Sequence, residues 1–162
     1  MAYSAYAIAN AFITLAQDGE LGGLTPMKLQ KLMYFAQAWY LRVKETPLLD
    51  DHFSRWQHGP VIPAIYHEFK AYRARPIKQC ANTLSTNDDG YHVIVPTVPQ
   101  QDTDTWELLR IIARHYGHLS GPQLSAITHI KGSAWAAVEP PDGSVITHDQ
   151  MRNDIAVFKT PA

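Results

Sequence analysis

Apolar residues recur at helical spacing through most of this chain. The best pattern is in LTPMKLQKLMYFAQAWYLRV, residues 24–43, where apolar side chains fall on two opposite sides of a helix. Thr25 can cap this helix, and Pro26 suits its first position. A helix that is apolar on two sides is usually central, so we predict neighbours on both sides of it. The rest of the helix surface contains Lys31 and Phe35. We predict that it is either exposed to solvent or forms half of a partner-binding site.

Shorter helical patterns occur on both sides of this central segment. Thr147 and Gln150 have the spacing of a capping box, which predicts the start of the last helix. We expect the other helices over residues 3–17, 63–75, 102–116 and 120–132, and the last one over residues 147–158.

Two stretches lack a helical pattern. In LLDDHFSRWQHGPVIP, residues 48–63, Phe53 and Trp56 do not alternate as in a clean strand, so we predict an extended or turn-rich segment. Residues 77–100 contain the turn signal TNDDG and the β-prone but proline-limited YHVIVPTVP, which favour a small β-hairpin or edge strands. The sum predicts a mainly α fold, with a single compact multi-helix domain over residues 1–162.

The amino-acid composition supports a globular fold and excludes several classes of function. The 162 residues are 46% hydrophobic and 18% charged, as in a globular protein, and the net charge of −1 gives no overall attraction to nucleic acid or an anionic membrane. The single cysteine, Cys80, excludes an internal disulfide and fits a reducing cytoplasm. The apolar start reaches Asp18 too soon to span a bilayer and lacks the basic region of a signal peptide. We therefore expect a cytoplasmic protein with no membrane partner.

Motifs for catalysis or metal binding are weak in this sequence. There are eight histidines, but neither an H-E-x-x-H motif nor a pair of cysteines, so we expect no metal and no other cofactor. Lys78 could lower the pKa of the Cys80 thiol, yet no nearby histidine completes a nucleophilic pair, and a partly buried hydrophobe is the simpler interpretation of Cys80. We therefore expect that the protein is not an enzyme and has no catalytic residue. An enzyme that uses Cys80 or a histidine cluster is the rival hypothesis.

Trp56 is the tryptophan that fits no helical stripe. It stands between Arg55 and His58, just before the corner formed by Gly59, Pro60 and Pro63. The two prolines fix the backbone φ angle and remove two N–H donors, so the corner is stiff. Tryptophan and arginine are frequent hot spots of protein interfaces. Trp56 is therefore either a packed anchor of the corner, or a side chain presented to a partner, or both.

Four blocks of sequence resemble the Panacea domain, the SocA-like domain of antitoxins and phage-associated proteins. The resemblance spans residues 24–158, and the order of its first two blocks is specific, whereas residues 77–100 contain no motif that we recognise. The blocks are KLQKLMYFAQAW at 28–39, WQHGPVIP at 56–63, LSAITHIKGSAW at 124–135 and ITHDQMRNDI at 146–155.

The resemblance implies an α-rich antitoxin that neutralises a partner toxin by direct binding, with the toxin encoded next to it. Two alternatives stay open: a proteolytic adaptor that delivers the toxin to a protease, and a phage or mobile-element protein with another interaction role. An adaptor would need an exposed tether, such as AVFKTPA at residues 156–162. Nucleic-acid binding through Lys28, Lys31 and Arg42 is disfavoured by the near-neutral charge. The residues predicted to bind the partner are Arg55, Trp56, His58, Tyr66, Phe69, Lys70, Lys31 and Phe35.

Overall fold

Helices dominate the structure, a computed structural model that describes residues 1–158. The α-helices are α1 (Ala5–Gln17), α2 (Pro26–Lys44), α3 (Pro63–Phe69), α4 (Thr103–Tyr116), α5 (Gly121–Thr128) and α6 (His148–Arg152). Short 3₁₀ helices cover Lys70–Tyr72, Trp135–Ala137 and Ile155–Phe158. The strands are β1 (Phe53–Trp56), β2 (Gly59–Val61), β3 (Thr83–Asn87), β4 (Gly90–Ile94) and β5 (Val145–Ile146).

Helix α2 runs through the middle of the hydrophobic core. Thr25 caps its N-terminus by accepting a hydrogen bond from the Lys28 backbone N–H, and Pro26 takes the first helical position. Helices α1, α4, α5 and α6 all pack against it, which confirms the predicted central helix with neighbours on both sides. Every side chain from residue 28 to residue 38 is buried. The sector with Lys31 and Phe35 is therefore buried too, and the prediction of a solvated face was wrong.

Buried amide side chains join the helices to the loops. Asn10 of α1 accepts a hydrogen bond from the N–H of Ala81 at 2.7 Å and donates one to its carbonyl at 2.9 Å. Gln37 of α2 binds Leu49 in the same way, at 3.1 and 3.2 Å. Each amide binds the N–H and the carbonyl of one loop residue, as the backbone of a neighbouring strand would do in a sheet. Since a buried backbone group without a partner costs about 1–3 kcal/mol, these amides fix where the loops lie.

Two small antiparallel sheets complete the fold. The first has the strand order β2-β1-β5, and the second consists of β3 and β4. We call β1 and β2, residues 53–61, the corner hairpin, and β3 and β4, residues 83–94, the outer hairpin. The hairpin predicted within residues 77–100 is confirmed, whereas the strands of the corner hairpin were not predicted. The architecture is therefore helix-dominated but mixed, since strands contribute besides the helices.

Several predicted helices end earlier than expected. Helix α3 passes into a 3₁₀ turn at Lys70, helix α5 ends at Thr128, and helix α6 ends at Arg152. The capping box of Thr147 and Gln150 is confirmed, because each side chain binds the backbone N–H of the other residue. Within residues 1–158, no helix is both long and apolar enough to cross a membrane.

Candidate partner-binding site

Helix α2 fixes the corner hairpin from one side through hydrogen bonds to the backbone of the hairpin and of the residue after it. Gln30 accepts a hydrogen bond from the N–H of Ile62 at 2.9 Å and donates one to its carbonyl at 3.0 Å. Lys31 donates from Nζ to the carbonyl of Pro60 at 3.2 Å. The last residues of the corner therefore have a fixed distance from helix α2.

The segment from α5 to the following 3₁₀ helix fixes the corner hairpin from the other side. Ser125 Oγ donates to the carbonyl of His58 at 2.6 Å, and the Trp135 indole N–H donates to the carbonyl of Trp56 at 2.8 Å. Three of the sequence blocks that resemble the Panacea domain thus meet at one place. The meeting point is the corner hairpin.

Gly59 is required by the close packing of this corner. Its φ angle is +113°, a value that residues with a Cβ atom rarely adopt. A Cβ atom at this position would lie 2.8 Å from Lys31 Cε and 2.8 Å from Thr128 Oγ1. The missing side chain lets the hairpin approach both α2 and α5.

A groove of about 440 Å³ lies between the corner hairpin, the start of α2 and helix α3. Its apolar lining comes from Pro26, Met27, Val61, Trp56 and Tyr66. The rings of Trp56 and Tyr66 meet edge to face, with centroids 5.0 Å apart and an interplanar angle of 67°. Tyr66 keeps 42% of its surface exposed. The polar lining comes from Gln30, Lys31, Gln57, His58, Lys70 and Arg73.

Lys31 is the buried basic group at the floor of this groove, with 1% of its surface exposed. Removal from water disfavours the charged amine and lowers the pKa of Lys31 to about 7. The pKa of His129 is lowered mainly by burial, and further by the positive charges of Lys31 and His58. Lys31 and His58 are therefore close enough to His129 to act on its charged form.

The groove brings together most of the residues that the sequence predicted for partner binding. Trp56, His58, Tyr66 and Lys70 line it near the surface, and Lys31 lines it from below. Contact of these residues with a partner stays a prediction.

Arg55 lies outside this groove and is buried, with 2% of its surface exposed. Its guanidinium donates to the carbonyl of Ala134 at 2.9 and 3.2 Å, to Ser144 Oγ at 3.0 Å and to the carbonyl of Val145 at 3.1 Å. It also donates to Gln150 Oε1 at 3.2 Å. The predicted surface position of Arg55 is corrected, because this side chain joins β1 to the C-terminal part of the chain.

Phe35 and Phe69 are core residues as well. Phe35 is fully buried and stacks on Tyr116, with ring centroids 4.2 Å apart. Phe69 has 2% of its surface exposed and anchors the end of α3 in the core. The prediction that they present side chains to a partner is therefore corrected by their burial.

Six lining residues were missed by the prediction, and two of them, Pro26 and Gln30, lie at the start of α2. Met27 belongs to the second apolar side of α2, and Gln57 and Val61 lie inside the block WQHGPVIP, so the sequence contained a signal for these three. Arg73 follows a 3₁₀ helix with a φ angle of +55°, and no sequence pattern indicated its position.

The rival enzyme hypothesis gains no support from the surroundings of Cys80. The residue is partly buried, and burial raises the pKa of its thiol despite a hydrogen bond with Thr14 that lowers it. A raised thiol pKa disfavours the reactive thiolate. In the described part of the chain, no three histidine, cysteine or acidic side chains are grouped so that they could hold a metal ion.

A second depression, of about 540 Å³, lies between the end of α2 and the start of α4. Its lining includes Trp39 and Tyr40, together with the carboxylates of Asp102, Asp104 and Glu107. None of the residues predicted to bind a partner lines it. The groove beside the corner hairpin is therefore the candidate site.

Comparison with known proteins gives two matches to this chain. Residues 29–136 match the family described as "Antitoxin SocA-like, Panacea domain". The protein "Antitoxin SocA" of Caulobacter vibrioides (strain NA1000 / CB15N) is 32% identical over 136 residues, which cover 83% of this chain and 69% of that protein. No solved structure matches.

Proposed function

The chain belongs to the antitoxin SocA-like, Panacea domain family, and we propose that it is a cytoplasmic antitoxin that neutralises a toxin protein by binding it directly. The toxin would be encoded by the neighbouring gene, as the resemblance implies. In this proposal the protein forms a complex with the toxin and catalyses no reaction. The described structure stops before the predicted tether is complete: Ala156 and Val157 are buried, and residues 159–162 lie outside the described residues.

The observation that supports direct binding is the rigid aromatic groove beside the corner hairpin. Trp56 has its backbone carbonyl bound by Trp135 and its ring packed against Tyr66, so its position is set before any partner arrives. His58 next to it has its carbonyl bound by Ser125. Side chains that are already ordered lose little conformational entropy on binding, which favours tight association.

The experiment starts with the gene next to the one that encodes this chain. Its product is expressed alone and together with this chain, and growth is measured. We expect toxicity alone and normal growth with co-expression. A neighbour that stays lethal despite co-expression, or purified products that do not bind each other, would contradict the proposal.

The site is then tested by Trp56→Ala in the purified antitoxin. Loss of a central aromatic anchor typically costs about 2 kcal/mol, or about thirty-fold in affinity. The matched control is Tyr91→Ala, which removes an aromatic side chain that is 78% exposed on the outer hairpin. Calorimetric titration measures the affinity, and circular dichroism confirms folding. Unchanged affinity in a folded Trp56→Ala variant would exclude the groove, while a loss in Tyr91→Ala would place the toxin on the outer hairpin.

A further inference from the structure

Lys31 is a buried base with unused hydrogen-bonding capacity. An ammonium group donates three hydrogen bonds, and among the described residues Lys31 makes one, to the carbonyl of Pro60. The ion pairs found within residues 1–158 do not include it. Burial of a charged amine without an anionic partner is unfavourable, and its effect is visible as the lowered pKa of this group.

The surroundings of Lys31 contain further basic side chains. His58 lies on the corner hairpin, His129 follows α5, and Lys70 and Arg73 lie on the side of helix α3. Within the described residues, no aspartate or glutamate lines the groove. His129 does not line the groove, and its Nε2 atom is buried without a hydrogen-bond partner. The groove is thus complementary to a negative charge that the chain itself does not supply.

The apolar walls of the groove favour a ligand that has an apolar group beside its negative charge. Met27 and Val61 are aliphatic, and Trp56 and Tyr66 present aromatic rings. A freely hydrated anion gains little from such walls, whereas an apolar side chain gains about 25 cal/mol for each Å² of apolar surface that it buries. The volume of about 440 Å³ has room for an acidic side chain and an apolar neighbour.

We infer that the groove receives a segment of the toxin in which an aspartate or glutamate side chain reaches Lys31 while an adjacent apolar side chain packs on Trp56 and Tyr66. This inference rests on the proposed function, since the occupant is the toxin. The carboxylate would accept hydrogen bonds that Lys31 leaves unused, and its negative charge would favour the protonated amine. Lys70 and Arg73 at the rim would attract the acidic segment during approach.

The test compares Lys31→Met with Lys78→Met in binding to the toxin. Methionine keeps most of the side-chain length of Lys31 without the charge, and Lys78 is an exposed lysine outside the groove. We expect Lys31→Met to weaken binding by about thirty-fold or more, since truncation of one partner of a buried charge pair is costly, and Lys78→Met to leave it unchanged. One Asp→Asn or Glu→Gln substitution in the toxin should cause the same loss, with no further loss when combined with Lys31→Met.

A proton measurement separates a direct contact from a merely structural role of Lys31. Calorimetry in buffers of different ionisation enthalpy, at about pH 8, reports the protons taken up on binding. The negative charge of a carboxylate beside Lys31 would raise the pKa of the amine, which would then take a proton from the solvent, so we expect uptake by the wild type and a smaller uptake by Lys31→Met. Other groups of the complex can also take up protons, and the difference between the two proteins isolates Lys31.

The outcomes distinguish this inference from the proposed function. A folded Lys31→Met variant that binds the toxin as tightly as the wild type overturns the inference and leaves direct neutralisation intact. If the wild type binds no neighbouring toxin, the proposed function fails, and phage-displayed random peptides become the probe. Enrichment of acidic peptides with apolar neighbours on the wild type but not on Lys31→Met supports the groove, and equal or absent enrichment overturns it.

Discussion

The two hairpins of this protein have the same glycine geometry and opposite surroundings. Gly59 of the corner hairpin and Gly90 of the outer hairpin have φ angles of +113° and +112°, each at the first position of the second strand. Strand β2 is buried at all of its positions, whereas strand β4 is exposed at all of its positions. Apolar side chains such as Leu84 and Val93 remain 70% and 66% exposed on the outer hairpin.

The difference shows that a hairpin becomes rigid through the elements around it. A two-stranded hairpin is marginally stable by itself. The corner hairpin adds hydrogen bonds from Gln30, Lys31, Ser125 and Trp135 to its backbone and the residue after it. The outer hairpin is formed by its own ladder. The part of the molecule suited to a pre-shaped binding site is therefore the corner.

The largest expected effect is that of Arg55→Met on stability. The change removes the donors for the carbonyls of Ala134 and Val145 and for Ser144 Oγ while it keeps most of the side-chain volume. Because buried acceptors would lose a charged donor, we expect the free energy of unfolding to fall by about 3 kcal/mol or more. Urea denaturation measures it. The control Arg75→Met removes an exposed arginine and should cost about 0.5 kcal/mol or less, and equal losses in both variants would contradict the prediction.

The two glycines allow a direct test of the comparison. Gly59→Ala and Gly90→Ala introduce the same unfavourable φ angle, but only the first places a Cβ atom against Lys31 and Thr128. Strain of the backbone alone should cost about 1 kcal/mol, and overpacking at Gly59 should add about 2 kcal/mol. The difference between the two unfolding free energies isolates the close approach of the corner hairpin. If both variants were destabilised equally, Lys31 and Thr128 would move aside for the new Cβ atom without a loss of stability.

Lys31→Met should stabilise the protein, in contrast to the losses above. The lowered pKa of about 7 means that the folded protein releases the proton of Lys31 above this pH, while the unfolded chain keeps it to about pH 10. The unfolded state thus binds more protons between about pH 7 and 10, and wild-type stability should rise through this range. At about pH 6 we expect the free energy of unfolding of Lys31→Met to exceed that of the wild type by about 1–2 kcal/mol. Between about pH 7 and 10 the variant should lack the increase in stability that Lys31 causes in the wild type.

The same denaturation series, measured across this pH range for both proteins, supplies its own control. The pKa of His129 is lowered from the ordinary value of histidine, so this residue titrates below the range and contributes little to the difference between the curves. A Lys31→Met variant that is less stable than the wild type at about pH 6 would show that the amine is a stabilising part of the core. A gain in stability with a loss of binding would mark Lys31 as a functional residue.

The smallest effect is expected from removal of the outer hairpin. Replacement of residues 84–93 by a short glycine-serine turn removes strands that are mostly exposed, so stability should change by less than about 1 kcal/mol. Asn10 would still hold the flanking backbone at Ala81 and Pro96. Toxin affinity should remain that of the full chain. A marked loss of affinity would assign the outer hairpin to the interface.

Sequence patterns predicted the helices well where apolar residues define a face. Helix α2, with Thr25 and Pro26 at its start, and the capping box at Thr147 follow from short-range physics that needs no tertiary information. The strands of the corner hairpin were missed for a specific reason. Phe53 and Arg55 alternate on the buried face of β1, but one of the two is an arginine, so a search for alternating apolar residues fails.

The sequence also predicted some of the residues that line the groove and missed the burial of others. Trp56 and His58 stand out in the sequence because they fit no helix, and the structure places both in the groove. The burial of Lys31 and Arg55 could not be read from their polarity, since it depends on backbone carbonyls that other segments bring to them. The hydrogen-bond partners of a buried polar side chain are long-range contacts, which periodicity does not encode.

The groove has a floor that is hydrogen-bonded to the corner and a rim that is exposed to solvent. Gln30 and Lys31 bind the backbone of the corner, whereas the side chains of Gln57, Tyr66 and Lys70 are exposed around it. Substitutions at the rim leave the hydrogen bonds of the floor in place. If the groove receives a toxin as proposed, changes at a few rim positions would redirect the same scaffold to another partner, and the protein would be a practical starting point for engineering inhibitors.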